Sequence, residues 1–156
     1  AMAGKAPMTG DDGMARADLR GPDGTDLGAV SFTPMANGIM VTLKARNMPS
    51  GTHAFHIHET GACSPDFSAA GGHYNPTGAE HGLDNPDGPH LGDMPNIHVG
   101  SSGQLSVEVF KPDLALDSEL FDADGAAIVI HAGADDYQTD PAGAAGNRVA
   151  CGVIAP

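Results

Sequence analysis

No stretch of this chain runs far before a glycine or proline interrupts it, and that spacing constrains the fold more than any other feature. Glycine supplies 22 residues and proline 12, together more than a fifth of the 156. Both residues punctuate regular structure, so a helical bundle is disfavoured and short strands joined by turns are favoured. The intervals read as eight strands: MARADL (14–19), GAVSFTPM (28–35), GIMVTLKARNM (38–48), HAFHIHE (53–59), MPNIHV (94–99), GQLSVEVF (103–110), AAIVIH (126–131) and RVACGVI (148–154). In the third, Ile39, Val41, Leu43 and Ala45 alternate with Met40, Thr42, Lys44 and Arg46, the period of a half-buried strand. GPDGTD and ANG form turns, and Ser101, Ser102 and Gly103 are expected as a hairpin turn between the fifth and sixth strands. The connection KPDLALDSELFDADG is expected to hold a helical turn at Ala115–Phe121. Residues 1–12 lack periodicity and are expected to be flexible, leaving 13–156 as a single all-β domain.

Aromatic residues make up only 4% of the chain and tryptophan is absent, so Val, Ile, Leu, Met, Ala and a few Phe must build the core. The formal charge of −13 disfavours nucleic acid and anionic membranes as partners. No apolar run approaches the roughly 20 residues of a membrane helix. The Ala-Met-Ala start is expected to follow removal of a leader. The two cysteines, Cys63 and Cys151, are compatible with free thiols, metal ligands or one disulfide. As a disulfide they would close a loop worth about 4 kcal/mol in chain entropy and imply an oxidising compartment.

Chemistry concentrates between His53 and Asp93. Six of the eight histidines lie there: His53, His56, His58, His73, His81 and His90. On a strand, His56 and His58 share one face while Phe55 and Ile57 share the other, so two imidazoles stand side by side. The segment from Thr60 to Gly92 is too long for an idle loop in a compact domain. His73, His81, His90 and Asp93 follow within or just after it, and metal ligation would order it. Imidazole suits copper and zinc, and a carboxylate can complete a tetrahedral zinc site. Seven donors exceed what one ion takes, which points to two sites or to one site with bystanders. An isolated strand histidine is more often a packing or surface residue, and that reading holds for His98 in NIHV. It fails for six histidines and an aspartate in one quarter of the chain.

Taken together, FHIH, AGGHYNP, HG, GPHLGD, IVIH and GNRVACGVI resemble copper–zinc superoxide dismutases in order and spacing, from about Met14 to Ile154. The resemblance implies an eight-stranded Greek-key β-barrel or sandwich, immunoglobulin-like, with two long functional loops. It implies an oxidoreductase of antioxidant defence that converts superoxide to dioxygen and hydrogen peroxide. The reaction would use one redox-cycling copper ion and one structural zinc ion per subunit. By the same resemblance His56, His58, His73 and His131 bind copper, and His73, His81, His90 and Asp93 bind zinc. His73 is then the shared bridge and, with Arg148, a catalytic residue. Asp135 would link ligands of the two metals by hydrogen bonds, Cys63 and Cys151 would form the disulfide, and His53 would be structural.

Arg148 is expected to pair with the superoxide anion. Charges beyond about 8–10 Å are largely screened at physiological salt, so local cations matter more than the net charge. ADDYQTDPAGAAGN and SPDFSAAGG lack the lysines that family members often place near the channel. Lys44, Arg46 and Lys111 are substitutes only if the fold brings them close. Ala54 stands where the family usually has glycine. The length of the segment between Cys63 and His73, together with PHLGDMPN (89–96), resembles the bacterial branch. This implies the periplasm or export more generally, with both monomers and homodimers among relatives. The competing readings are a non-catalytic metal-binding module and a zinc hydrolase. The latter would need an open zinc position, which four protein donors close.

Overall fold

Alternation becomes sheet from the first element onward. The structure, a computed structural model, describes residues 14–156; the segment 1–12 expected to be flexible lies outside the described residues. Strand β1 (Ala15–Arg20) buries Ala15, Ala17 and Leu19 and exposes Arg16, Asp18 and Arg20. It pairs antiparallel with β2 (Asp26–Met35), which pairs with β3 (Gly38–Ala45). On β3 the alternating Ile39, Val41, Leu43 and Ala45 are the buried set. Gly28 adopts φ +113° near the β1–β2 register shift, and a Cβ there would lie 2.0 Å from the Lys44 carbonyl oxygen. Only glycine permits that approach.

The remaining strands are β4 (Gly51–His53), β5 (Phe55–His58), β6 (Ile97–Val99), β7 (Leu105–Lys111), β8 (Ala127–His131) and β9 (Arg148–Val153). A seven-stranded sheet runs β5-β8-β9-β1-β2-β3-β7, and β4 pairs with β6. The eight expected strands become nine because HAFHIHE changes partners at Ala54, from β6 to β8. Ala54 N–H donates to the Gly133 carbonyl at 2.9 Å, and its own carbonyl accepts from His131 N–H at 3.0 Å. Counted as one strand, β4–β5 makes an eight-stranded antiparallel ribbon that curls around a core including Phe32, Val41, Leu43, Phe55, Ile57 and Ile130.

Two local expectations change. Ser101–Gly103 does form a turn, with Gly103 N–H donating to Gly100 at 3.1 Å, but it is not a hairpin. β6 pairs with β4 and β7 with β3, because the turn carries the chain across the seam where the ribbon closes. Ala115–Phe121 contains one helix-like bond, Phe121 N–H to Asp117 at 3.0 Å, and no helix. The short helical element that does form is a 3-10 turn at Phe67–Ala70. Asp66 caps it by accepting from Ser68 N–H, and Gly71 ends it at φ 73°. An aspartate before and a glycine after are the signals that could have located it. This turn covers the outer face of β8 and β9, where Ala70, Ala127, Val129 and Cys151 make a second small core. β8 is therefore buried on both faces, which explains its unbroken apolar run.

Candidate metal centre

β5 places its histidines where a loop can close over them. Phe55 and Ile57 enter the main core, while His56 and His58 are buried beneath the loop. The loop lies along the edge of β5 that faces away from β8. Tyr74 N–H donates to the Ile57 carbonyl at 2.8 Å, Ile57 N–H to Gly92 at 2.9 Å, and Gly92 N–H to Tyr74 at 2.9 Å. Isolated bridges consequently set His73 opposite His58 and Asp93 opposite His56. His131 arrives from the end of β8, just past its register shift with β9.

Two donor groups result. His56, His58, His73 and His131 form one, and His56, His73, His81 and Asp93 form an overlapping second; within each the candidate ligand atoms lie within 4.8 Å of one another. In the first group, His56 Nδ1 and the Nε2 atoms of His58, His73 and His131 are buried without a hydrogen-bond partner. Buried polar atoms are rarely left so. On the other side of the His73 ring, Nδ1 lies 2.8 Å from Asp93 Oδ1 and 3.2 Å from the Nδ1 atoms of both His81 and His90. His81 Nδ1 is 3.0 Å and His90 Nδ1 is 3.4 Å from the same Asp93 oxygen. Sequence-selected His90 thus joins this side through Nδ1.

The outer nitrogens are held as well. Asp135 Oδ2 lies 2.7 Å from His56 Nε2, and its Oδ1 lies 2.8 Å from His81 Nε2. His58 Nδ1 and His131 Nδ1 meet the Gly71 and Gly146 carbonyls at 2.9 and 3.0 Å. Asp93 Oδ2 accepts from Gly82 N–H at 3.0 Å and His90 N–H at 2.9 Å. Gly143, at φ +75°, leaves room for the Asp135 bridge, since a Cβ there would stand 2.0 Å from Asp135 Oδ1.

Burial drives His58 well below the ordinary imidazole value and takes His56 to about 4 against the pull of Asp135. These rings are neutral at physiological pH, the form a metal requires. Burial would raise Asp93 and Asp135. Hydrogen bonds from His73 and His81 to Asp93, and from His56 and His81 to Asp135, outweigh it and hold both carboxyls well below their usual range. Burial likewise lowers His81, but its bonds to Asp135 and Asp93 prevail and raise it to about 9.

Sequence reasoning missed two supports of this centre. Lys111 Nζ donates to the Asp93 carbonyl at 2.8 Å, and Asp140 Oδ1 accepts from His81 N–H at 2.9 Å. Each is a charged residue near the end of a strand or within a long loop, a signal too common to single them out. His53 belongs to neither donor group; its ring nitrogens lie 2.9 and 2.8 Å from the His131 and Pro49 carbonyls. His98 is exposed, and its ring lies 3.1 Å from Thr52 Oγ1, away from both donor groups.

Arg148 donates through Nη1 to the Phe67 carbonyl at 2.8 Å and through Nη2 to the Gly71 carbonyl at 2.7 Å. The Gly71 oxygen is the one that holds His58, so the guanidinium is tied to a first-group ring through one shared atom. A disulfide joins Cys63 to Cys151 and fastens the loop that supplies Phe67 and Gly71 to β9. The proposed substitute cations lie elsewhere. Lys44 is on β3 between β2 and β7, Arg46 is paired with Asp26 at 2.6 Å, and Lys111 is engaged behind Asp93.

The chain matches the copper/zinc superoxide dismutase (SODC) family model over residues 27–154. It is 46% identical over 144 residues to superoxide dismutase (Cu-Zn) 1 of Aquifex aeolicus, spanning 88% of this chain and 85% of that protein. It is 43% identical over 147 residues to superoxide dismutase (Cu-Zn) of Caulobacter vibrioides, spanning 90% and 84%. Among solved structures, a double mutant of a SOD-like protein from Bacillus subtilis aligns at TM-score 0.85 and 39% identity, over 90% of this chain and 97% of that one. Cu/Zn superoxide dismutase from Brucella abortus aligns at TM-score 0.76 and 30% identity, over 90% and 98%. With the family model spanning the ribbon from β2 to the end of β9 and both donor groups, the chain belongs to the copper/zinc superoxide dismutase family.

Proposed function

We propose that this protein dismutates superoxide, turning two superoxide anions and two protons into dioxygen and hydrogen peroxide. In this reading His56, His58, His73 and His131 hold copper, and His73, His81, His90 and Asp93 hold zinc. The observation that carries it is the His73 ring: Nε2 is among the unpartnered buried nitrogens, while Nδ1 sits with the other histidine Nδ1 atoms and Asp93. The donors fit the ions. Ligands about 2.0–2.1 Å from a tetrahedral zinc are roughly 3.3 Å apart, and the measured separations around Asp93 Oδ1 and His73 Nδ1 run from 2.8 to 3.4 Å. An all-imidazole set suits copper.

Copper, when bound, supplies one-electron redox chemistry in both directions, and zinc supplies none. The chain does the rest. Arg148 pairs with the anion beside the first donor group, its guanidinium held by Phe67 and Gly71. His73 Nε2 can hold a proton only when it is not donating to copper, and in that form it can pass the proton to the reduced oxygen. Asp135 keeps the His56 and His81 rings in fixed orientation. The Cys63–Cys151 disulfide and the bacterial relatives support an exported, periplasmic protein.

A second reading is a metal-holding module without turnover, for which the two donor groups would suffice by themselves. One preparation separates the two: metal content by mass spectrometry and superoxide consumption measured on the same sample. One copper and one zinc per chain with turnover are expected. Stoichiometric copper with no superoxide consumption would overturn the enzymatic reading and favour the module.

A further inference from the structure

Tyr137 sits in the second long loop, donates no side-chain atom to either donor group, and yet meets three segments around the second one. Its N–H donates to Asp135 Oδ1 at 2.7 Å. Its hydroxyl oxygen accepts from Asn96 N–H at 2.9 Å, and its carbonyl accepts from Asp84 N–H at 3.0 Å. Asp84 lies three residues after His81, and Asn96 lies three residues after Asp93. The partners are interlocked as well. The Asn96 side chain accepts from Asp135 N–H at 2.8 Å and donates to the Asp135 carbonyl at 3.0 Å, so it binds that backbone as a neighbouring strand would.

The backbone of Tyr137 is unusual. Its φ of 66° is left-handed, uncommon for a bulky residue. That conformation lets the N–H reach Asp135 while the carbonyl reaches Asp84. The fit is close on the far side, where Gly82 (φ +125°) would, with a Cβ, approach the Tyr137 oxygen to 2.0 Å. Gly82 in turn donates its N–H to Asp93 Oδ2 at 3.0 Å. A glycine at 137 would reach the same φ without strain, but only the tyrosine ring can carry an oxygen to Asn96. A strained residue that joins three segments points to a positional role.

We propose that Tyr137 is the positioning residue for the His73–His81–His90–Asp93 group. It would set the distance between the segments of His81 and Asp93, and hold Asp135 against His81, and thereby set that group's affinity for its metal. This rests on the reading that the group holds zinc. The test is chelator competition on the zinc-loaded full-length chain, comparing wild type with Tyr137→Phe and Tyr137→Gly. Circular dichroism is recorded on the same samples. Direct partners of metal ligands typically contribute 10–100-fold in affinity, and Tyr137 acts one contact further out, through Asp135, Asn96 and Asp84. Tyr137→Gly should therefore release zinc about tenfold more readily, at the low end of that range, Tyr137→Phe should fall between it and wild type, and both should keep the wild-type sheet spectrum. Variants that hold zinc as tightly as wild type, or lose it only as the sheet unfolds, would overturn the role of Tyr137. A wild-type chain that takes up no zinc would overturn the metal reading itself, and the role with it.

Discussion

In the proposed reading, Arg148 attracts an anion on a chain whose formal charge is −13. Arg16 and Arg46 are paired with Asp18 and Asp26 at 2.9 and 2.6 Å, and Lys111 is engaged with the Asp93 carbonyl. Arg148 instead donates to two carbonyls, and among the described residues no carboxylate forms a salt bridge with it, although Asp66 is near enough to interact with its charge. Local positive potential raises association rates by roughly 10–1,000-fold. Replacing Arg148 with alanine should lower kcat/KM by about tenfold or more at low salt and flatten its salt dependence, with copper and zinc content unchanged. Arg148→Lys should retain part of the rate. Full turnover in Arg148→Ala, measured against metal content, would remove the residue from substrate capture. The sequence singled out Arg148 through its motif, whereas the carbonyls that hold it come from Phe67 and Gly71, 81 and 77 residues away. No local pattern connects positions so distant.

Among elements, β5 does two jobs with alternate residues. Phe55 and Ile57 are fully buried in the main core, and His56 and His58 are fully buried under the loop. That division was legible from the sequence, because side-chain direction alternates along any strand. The partner switch at Ala54 was not, since it depends on which edges the curled ribbon brings near. The same limit explains the turn at Ser101–Gly103: its residues specify a reversal, but the edges available to β6 and β7 decide their pairing. Ile57→Ala should cost about 2–5 kcal/mol in unfolding free energy, as large-to-small changes in packed cores do. Urea titration of the metal-loaded protein measures it. A loss within about 0.5 kcal/mol, the range of surface changes, would mean that β5 is not anchored through this face.

At the scale of the molecule, the centre exists because distant parts of the chain close on one another. Cys63 and Cys151 are separated by 88 residues and tie the first long loop to the last strand. On the chain-entropy model a loop of that length contributes about 4 kcal/mol. The Cys63→Ser, Cys151→Ser double variant should lose stability of that order in denaturant unfolding. It should also bind copper less firmly, because the Phe67–Gly71 segment that holds Arg148 and His58 loses its tether to β9. Unchanged stability under non-reducing conditions would show the bridge to be dispensable.

The sequence by itself determined the β class, the faces of the strands and the identity of the clustered donors, because periodicity and side-chain chemistry are local properties. It also showed that seven donors are too many for one ion. Only the tertiary structure decided which nitrogen of each ring faces which group, that Ala54 divides a strand, that Lys111 supports Asp93 rather than the substrate channel, and that Asp140 and Tyr137 brace the centre. Those features depend on contacts between residues far apart in the chain. Folding creates such contacts, and no spacing along the sequence encodes them.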